Sequence, residues 1–256
     1  MSGEYGAMEK SSKSSERTVL ITGAGKRIGR SIALRLAAAG FHIVVHANHS
    51  GLEAESTADA VRRLNVNSWV FTADLSDPIQ TEDLMARAIE TAGTIDCLVN
   101  NASRFKPASL NVFTLDDLMQ NVRINAFAPL VLARALAKQN RHGAIVNLLD
   151  SRITVYDKAH SSYHLSKRML MSLTKMMALE FAPGIRVNGV APGPILPPSG
   201  KDEAYLEKLA SQNPLKRIGS AEDVAEAVLF LLKNEFVTGQ ILYIDGGYHM
   251  NGRTYE

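Results

Sequence analysis

From residue 18 onward, short apolar runs alternate with longer stretches in which apolar positions recur every three to four residues. The runs at 19–21, 43–45, 69–72, 97–99, 144–148, 186–190 and 241–244 are apolar nearly throughout, as in strands of a sheet covered on both faces. The stretches at 28–39, 52–64, 81–91, 115–138, 161–181 and 221–232 read as helices. Gly40 ends the first, and Thr114, three residues before Asp117, opens the fourth like a capping box. This alternation predicts parallel βαβ units, and so one doubly wound α/β domain over residues 18–256, a seven-stranded parallel sheet flanked by helices. A ligand of such a sheet is expected at the carboxyl ends of the strands, where the strand order reverses. Residues 192–200, rich in Pro and Gly, read as a loop over that edge, and a helix at 203–209 follows.

Composition narrows the field. Residues 1–17 are polar and Ser-rich, the pattern of a disordered tail, with no apolar core of a secretory signal. The 256 residues carry 28 Lys plus Arg against 26 Asp plus Glu, a net +2 spread along the chain, which gives no nucleic-acid signature. No apolar run has membrane-spanning length. The single Cys97 excludes an internal disulfide and fits a reducing, cytoplasmic setting; within 95–99 it reads as an inert buried thiol. No His/Cys/Asp/Glu group has metal-ligand spacing, so no metal is expected. His42, His142 and His160 read as exposed.

The first strand runs into Thr22-Gly23-Ala24-Gly25-Lys26-Arg27-Ile28-Gly29, and a helix follows. Glycines there allow a tight turn, and the helix N-terminus offers unpaired N–H groups to a pyrophosphate, as in a Rossmann-type dinucleotide site. An acid at the end of the second strand would bond a free ribose hydroxyl and repel a 2′-phosphate. Here that strand ends in His46-Ala47-Asn48-His49-Ser50, and Lys26 and Arg27 lie in the turn, so NADP(H) is expected over NAD(H). Farther on, Tyr163 and Lys167 are four apart and share a helix face. An ammonium beside a phenol lowers the phenol's pKa and readies it for proton exchange.

These features, taken in order over residues 18–248, resemble the short-chain dehydrogenase/reductase family. The turn resembles its glycine motif, and Asp74-Leu75 its adenine-contacting pair. Asn100-Asn101-Ala102 resembles its NNAG segment, Asn125 its helix Asn, and Tyr163 to Lys167 its YxxxK motif. Arg186-Val187-Asn188 with Pro192-Gly193, and Asp245-Gly246-Gly247, resemble its later stretches. Three departures resemble its pteridine reductase branch: Arg27 in place of a motif glycine, Ser103 with Phe105 after Asn101-Ala102, and Asp150 where the family's Ser stands, 13 residues before Tyr163. The segment from His46 to Ser50 also resembles that branch, with His49 where an Arg is often found.

The resemblance implies a cofactor site of Gly23, Lys26, Arg27, Ile28, Gly29, His46, Asn48, His49, Ser50, Asp74, Leu75, Asn101, Ala102, Ser103, Tyr163, Lys167, Pro192 and Gly193. It implies catalysis by Asp150, Tyr163, Lys167 and Asn125, with Asn125 holding Lys167 through a water and Lys167 reaching the cofactor ribose. Arg27, Ser103, Phe105, Asp150 and Tyr163 would meet the substrate, with Phe105 stacking on a flat pterin opposite the nicotinamide. The resemblance implies that Asp150 and Tyr163 supply the protons; Asp150 can donate one only if burial raises its pKa, and as a carboxylate it can also bond an amino-pyrimidine edge. The expected activity is NADPH-dependent reduction of a dihydropterin, with oxidised pterins or dihydrofolate as further substrates. Two alternatives stand: a carbonyl reductase, such as one acting on 3-oxoacyl-carrier protein, with Ser151 at spacing 12 in the usual Ser role, and a non-catalytic NADPH-binding protein. The resemblance further implies a homotetramer whose tail, residues 248–256, packs at an interface and brings Arg253 toward a neighbour's site. Tyr205 is expected to cover the site.

Overall fold

The structure, a computed structural model, describes residues 17–197, 204 and 209–250. Seven strands form one sheet: β1 (Thr18–Ile21), β2 (His42–Ala47), β3 (Ser68–Thr72), β4 (Cys97–Asn100), β5 (Gly143–Leu148), β6 (Ile185–Pro192) and β7 (Ile241–Ile244). Their order is β3-β2-β1-β4-β5-β6-β7, and every neighbouring pair is parallel. The order reverses between β1 and β4, so the crevice of a doubly wound sheet opens there.

Alternation within each strand decides what each face meets. Val19 and Ile21 point into one buried layer with Ile32, Leu36, Val99, Val146 and Val228. That layer is roofed by α1 (Arg27–Ala38), α2 (Gly51–Arg62) and α7 (Ala221–Lys233). Leu20 points the other way, to Leu84, Leu98, Leu132, Ile145 and Met177. The second layer is closed by α3 (Pro78–Ala92), α5 (Ala128–Ala137) and α6 (Ser161–Glu180). Truncating a side chain as enclosed as Leu20 typically costs about 2–5 kcal/mol.

The helix expected at 115–138 is divided. It begins as α4 (Leu115–Val122), with Thr114 and Asp117 in the reciprocal capping bonds their spacing predicted. It then widens into a π-helical turn at Arg123–Phe127 before continuing as α5. An extra residue in one turn leaves the apolar period on either side intact, so the pattern does not reveal it. His42 is half-buried rather than exposed: Asn67 N donates to its Nδ1 at 3.0 Å, and Trp69 meets it edge-on. His142 is exposed. Cys97 is buried, and burial pushes its thiol up to about 11. Residues 1–16, Tyr205 and Arg253 lie outside the described residues. So does most of the helix expected at 203–209. No described helix is long and apolar enough to cross a membrane.

Candidate active site

The glycine turn is clamped between β1 and β4. Thr22 Oγ1 accepts from the backbone N–H groups of Asn101 and Ala102, both at 3.0 Å. Asn101 Nδ2 donates back to the carbonyls of Thr22 (2.9 Å) and Gly23 (3.0 Å). Gly23 sits at φ +65°, and a Cβ on Gly29 would stand 2.2 Å from the Gly23 carbonyl oxygen, so neither position admits a side chain without rebuilding the turn. The helix that follows starts bare. Lys26 at its N-cap makes no side-chain capping bond, and its first turn holds no acid. The N-terminus of α3, by contrast, is capped by Asp77, and those of α4 and α7 by capping boxes. Free N–H groups over a turn cleared of side chains suit a pyrophosphate, so these residues fit a dinucleotide.

Arg27 occupies φ +56°, a left-handed conformation that costs a non-glycine residue roughly 1–2 kcal/mol. Its Nη2 donates to the Pro197 carbonyl at 2.9 Å, tying the turn to the loop after β6. Lys26 pairs with Glu53 at 3.8 Å on the surface. At the end of β2, Asn48 and His49 are exposed, and Ser50 heads α2 without a side-chain capping bond.

His46 behaves otherwise than the sequence suggested. Its Nδ1 accepts from Gly23 N at 3.2 Å, and its Nε2 bonds the Ala73 carbonyl at 3.0 Å. Burial pulls its pKa down to about 4, so it is a neutral brace with both nitrogens taken, not a free donor for a phosphate. Asp74 is half-buried with Oδ1 on Ser76 N, and Leu75 is buried. Gly193, after Pro192 at the end of β6, passes so near β7 that a Cβ would lie 2.6 Å from that of Asp245.

The groups expected to handle protons gather across the crevice. Tyr163 Oη donates to Asp150 Oδ2 at 2.9 Å. Lys167 Nζ lies 5.8 Å from the Tyr163 ring centroid and donates to the Leu148 carbonyl at 2.7 Å. Asn125 is turned inward by the π-helical turn. Its Oδ1 accepts from Arg104 N at 2.8 Å and from Ser103 Oγ at 3.2 Å, while its Nδ2 donates to Arg104 O at 3.0 Å and Ser166 Oγ at 2.9 Å. Its direct contacts therefore bolt the loop after β4 to α6 and do not include Lys167. Ser103, expected at the cofactor or substrate, spends its hydroxyl on that bolt. Ser151, the rival for Asp150's place, is buried in the 3₁₀ turn Ser151–Thr154.

Sequence reasoning passed over three neighbours of Asp150. Arg152 forks onto the Asp150 carboxylate, Nε to Oδ1 at 3.2 Å and Nη2 to Oδ2 at 3.0 Å. Its Nη1 donates to Asp157 at 2.7 Å. His160, read as exposed, is half-buried, bonds Asp157 through Nδ1 at 3.0 Å, and stacks on Phe105 with centroids 4.2 Å apart. Phe105 is 38% exposed and meets Tyr163 edge-to-face at 4.7 Å. The expected stacking wall is thus itself backed by an imidazole. The only signal was a cluster of charges at 150, 152 and 157 in a stretch without helical or strand period.

The charges reverse two expectations. Burial drives the Asp150 carboxyl up, but the Arg152 charge and hydrogen bonds, helped by Tyr163, outweigh it and leave the group below the usual carboxylate range. Asp150 is a carboxylate here, not the buried acid the sequence allowed. Tyr163 is held well above its ordinary value, first by burial and then by the Asp150 charge, against the lowering expected from Lys167. Burial brings Lys167 itself down to about 8.

Known proteins share this frame. The enoyl-(acyl carrier protein) reductase family pattern matches residues 23–249. The 3-oxoacyl-[acyl-carrier-protein] reductase FabG of Staphylococcus aureus is 31% identical over 242 residues, 91% of this chain and 98% of that protein. The crystal structure of FolM alternative dihydrofolate reductase 1 from Brucella canis, complexed with NADP, is 33% identical with a TM-score of 0.86, covering 93% of this chain and 96% of that one. The Brucella suis FolM structure, also with NADP, is 32% identical with a TM-score of 0.85, covering 93% and 97%. These matches show the family: the chain belongs to the short-chain dehydrogenase/reductase family, a family of NAD(P)-dependent oxidoreductases.

Proposed function

We propose that this chain is an NADPH-dependent reductase of a flat, nitrogen-containing bicycle, a dihydropterin or dihydrofolate. The observation that carries the reading is Asp150 in the place of a hydroxyl, bonded to Tyr163 at 2.9 Å beside the half-exposed ring of Phe105. The likeness to two FolM dihydrofolate reductases supports it.

Gly23, Ile28 and Gly29 would hold the pyrophosphate, with Asn101 and Ala102 keeping the turn in shape. Asn48, His49, Ser50, Lys26 and Arg27 would meet the 2′-phosphate, and no acid ends β2 to repel it. Asp74 and Leu75 would lie at the adenine, Lys167 at the ribose, and Ser103, Pro192 and Gly193 around the nicotinamide. NADPH, when bound, supplies a hydride to the carbon of a C=N bond. Tyr163 gives its phenolic proton to the nitrogen of that bond and regains one from solvent. Lys167 and Arg152 offset the charge left on the oxygen. Asp150 is the acceptor for this phenol, and the position the phenol vacates when it turns to the substrate is the one an amino-pyrimidine edge would take.

A second reading has its own support: FabG likeness favours a 3-oxoacyl thioester. NADPH oxidation with dihydrobiopterin, dihydrofolate and acetoacetyl thioester, side by side, separates the two. Turnover of a pterin or folate, lost in Asp150→Asn while NADPH still binds, is the expected result. Turnover of the thioester alone rejects it. We also infer a homotetramer, since Met169, Met176 and Leu179 leave an apolar stripe on α6; light scattering coupled to gel filtration reads it.

A further inference from the structure

Asp150 has no acceptor position left. Its Oδ1 accepts from Arg152 N at 2.8 Å and Arg152 Nε at 3.2 Å, and its Oδ2 from Arg152 Nη2 at 3.0 Å and Tyr163 Oη at 2.9 Å. Those four bonds account for the lone-pair sites of a carboxylate. Three of the four come from one residue, and Asp157 holds that residue's remaining arm. Asp157 is fixed in turn by the backbone N–H groups of Ala159 and His160 at 2.8 and 3.1 Å and by the His160 ring. The backbone of this loop is pinned to the Phe105 side of the cleft as well: Ala108 N donates to Ala159 O, and Ser161 N donates to Ala108 O, both at 2.8 Å.

We propose that Arg152, anchored by Asp157, is a positioning residue that gives the Asp150/Tyr163 pair its direction: the carboxylate is fixed as acceptor, so the phenol is the sole proton donor. The inference rests on the reading of that pair as proton-handling. When Tyr163 turns its O–H from Asp150 to a ring nitrogen, the O–H bond breaks, an N–H bond forms, and the phenolate is left beside a carboxylate. The Arg152 guanidinium compensates that pairing of like charges. The ionisable groups around Asp150 are Arg152 and Asp157 of its own loop, His160 at the head of α6, and Tyr163, His164 and Lys167 on α6. From the facing loop, Lys106 is spent on Asp117. From the C-terminal turn packed against Ser151–Thr154, His249 is spent on Asp245.

The test reads the carboxyl directly. Infrared difference spectra of the NADP⁺ complex, with ¹³C-labelled aspartate and an Asp150→Asn control, follow ionisation from about pH 8 to 5. The parent stays ionised throughout. Arg152→Gln gains a protonated carboxyl signal within that window, because burial then outweighs the bonds that remain from the backbone N–H at 152 and from Tyr163, while Arg152→Lys keeps the carboxylate. In turnover, Arg152→Gln loses roughly tenfold or more in kcat. It also acquires an ionisation that the parent profile lacks, with KM little changed. Asp157→Asn shifts both readouts the same way by less. An unchanged carboxyl signal in Arg152→Gln, or a rate loss parallel to the parent at every pH, overturns the proposal. If Arg152→Gln does not fold, Asp157→Asn decides: no shift in either readout overturns it. Should the parent turn over neither pterin, folate nor thioester, the proton-handling reading fails by itself, and the infrared result still judges Arg152.

Discussion

The two banks of the crevice are made differently. The bank formed by β1, β2 and the head of α1 presents backbone: a turn held from behind by the side chains of Thr22, Asn101 and His46, with glycines where any Cβ would collide. The bank formed by the loops after β4 and β5 is shaped by side chains: Asp150, Arg152, Asp157, His160, Phe105 and Tyr163 in one connected set. A backbone-built site recognises what all its ligands share, in the proposed reading a pyrophosphate. A side-chain-built site changes its ligand when one residue changes, and that is where this chain departs from the hydroxyl-bearing family pattern.

The contrast predicts that substitutions on the second bank alter turnover or substrate affinity and leave cofactor binding alone. The largest effect belongs to Tyr163→Phe. Loss of a general acid costs about 10²–10⁴ in kcat. NADPH affinity, titrated by its fluorescence, should stay within a few-fold; a comparable loss of affinity would erase the distinction between the banks.

Next in size is an effect of the first bank on stability. His46 is neutral in the fold, its pKa pulled from 6.5 to about 4 by burial. A lowered folded-state pKa means that the unfolded chain takes up the proton first. The stability is therefore whole above pH 6.5 and lost as pH falls toward about 4, by roughly 3 kcal/mol. Urea unfolding at a series of pH values measures the slope, and His46→Asn should flatten it. Smaller again is Gly29→Ala. Its methyl would press on the Gly23 carbonyl oxygen and on the Asn101 side-chain amide, which the Thr22 and Gly23 carbonyls hold in place. Overpacking of this kind costs about 1–3 kcal/mol, read as weaker NADPH binding with kcat at saturation little changed.

The same contrast explains what the sequence disclosed. The first bank was legible because glycine at 23 and 29 answers a steric demand that few other residues meet, between a strand and a helix whose periods are plain. Tyr163 and Lys167 were legible because helical spacing puts them on one face. Arg152 and His160 were not, because residues 151–160 have no period, and only the folded loop brings a charge at 157 to both of them. The direction of the Asp150 shift went unread for the same reason: burial alone gives one sign, and an unseen guanidinium two residues away gives the other. His46 misled because a polar residue at a strand end looks available until its neighbours, the Gly23 N–H and the Ala73 carbonyl, are in place.

The smallest effect sharpens the comparison most, because it separates recognition from chemistry inside the second bank. Phe105 touches Tyr163 and rests on His160, yet it carries no proton. If its ring is a wall for a flat substrate, Phe105→Leu keeps much of the apolar area and gives up the aromatic stacking, about 0.5–1.5 kcal/mol. That corresponds to a rise of roughly two- to tenfold in KM for a dihydropterin, with kcat nearly constant. A thioester has no ring to stack and should not notice the change. His160→Ala leaves the Phe105 ring in place but removes its backing, together with the imidazole's bond to Asp157, so its effect on KM should follow that of Phe105→Leu in the same direction and fall short of it. A fall in kcat with unchanged KM would mean that Phe105 acts through the Tyr163 phenol instead, and the second bank would then have no surface reserved for recognition.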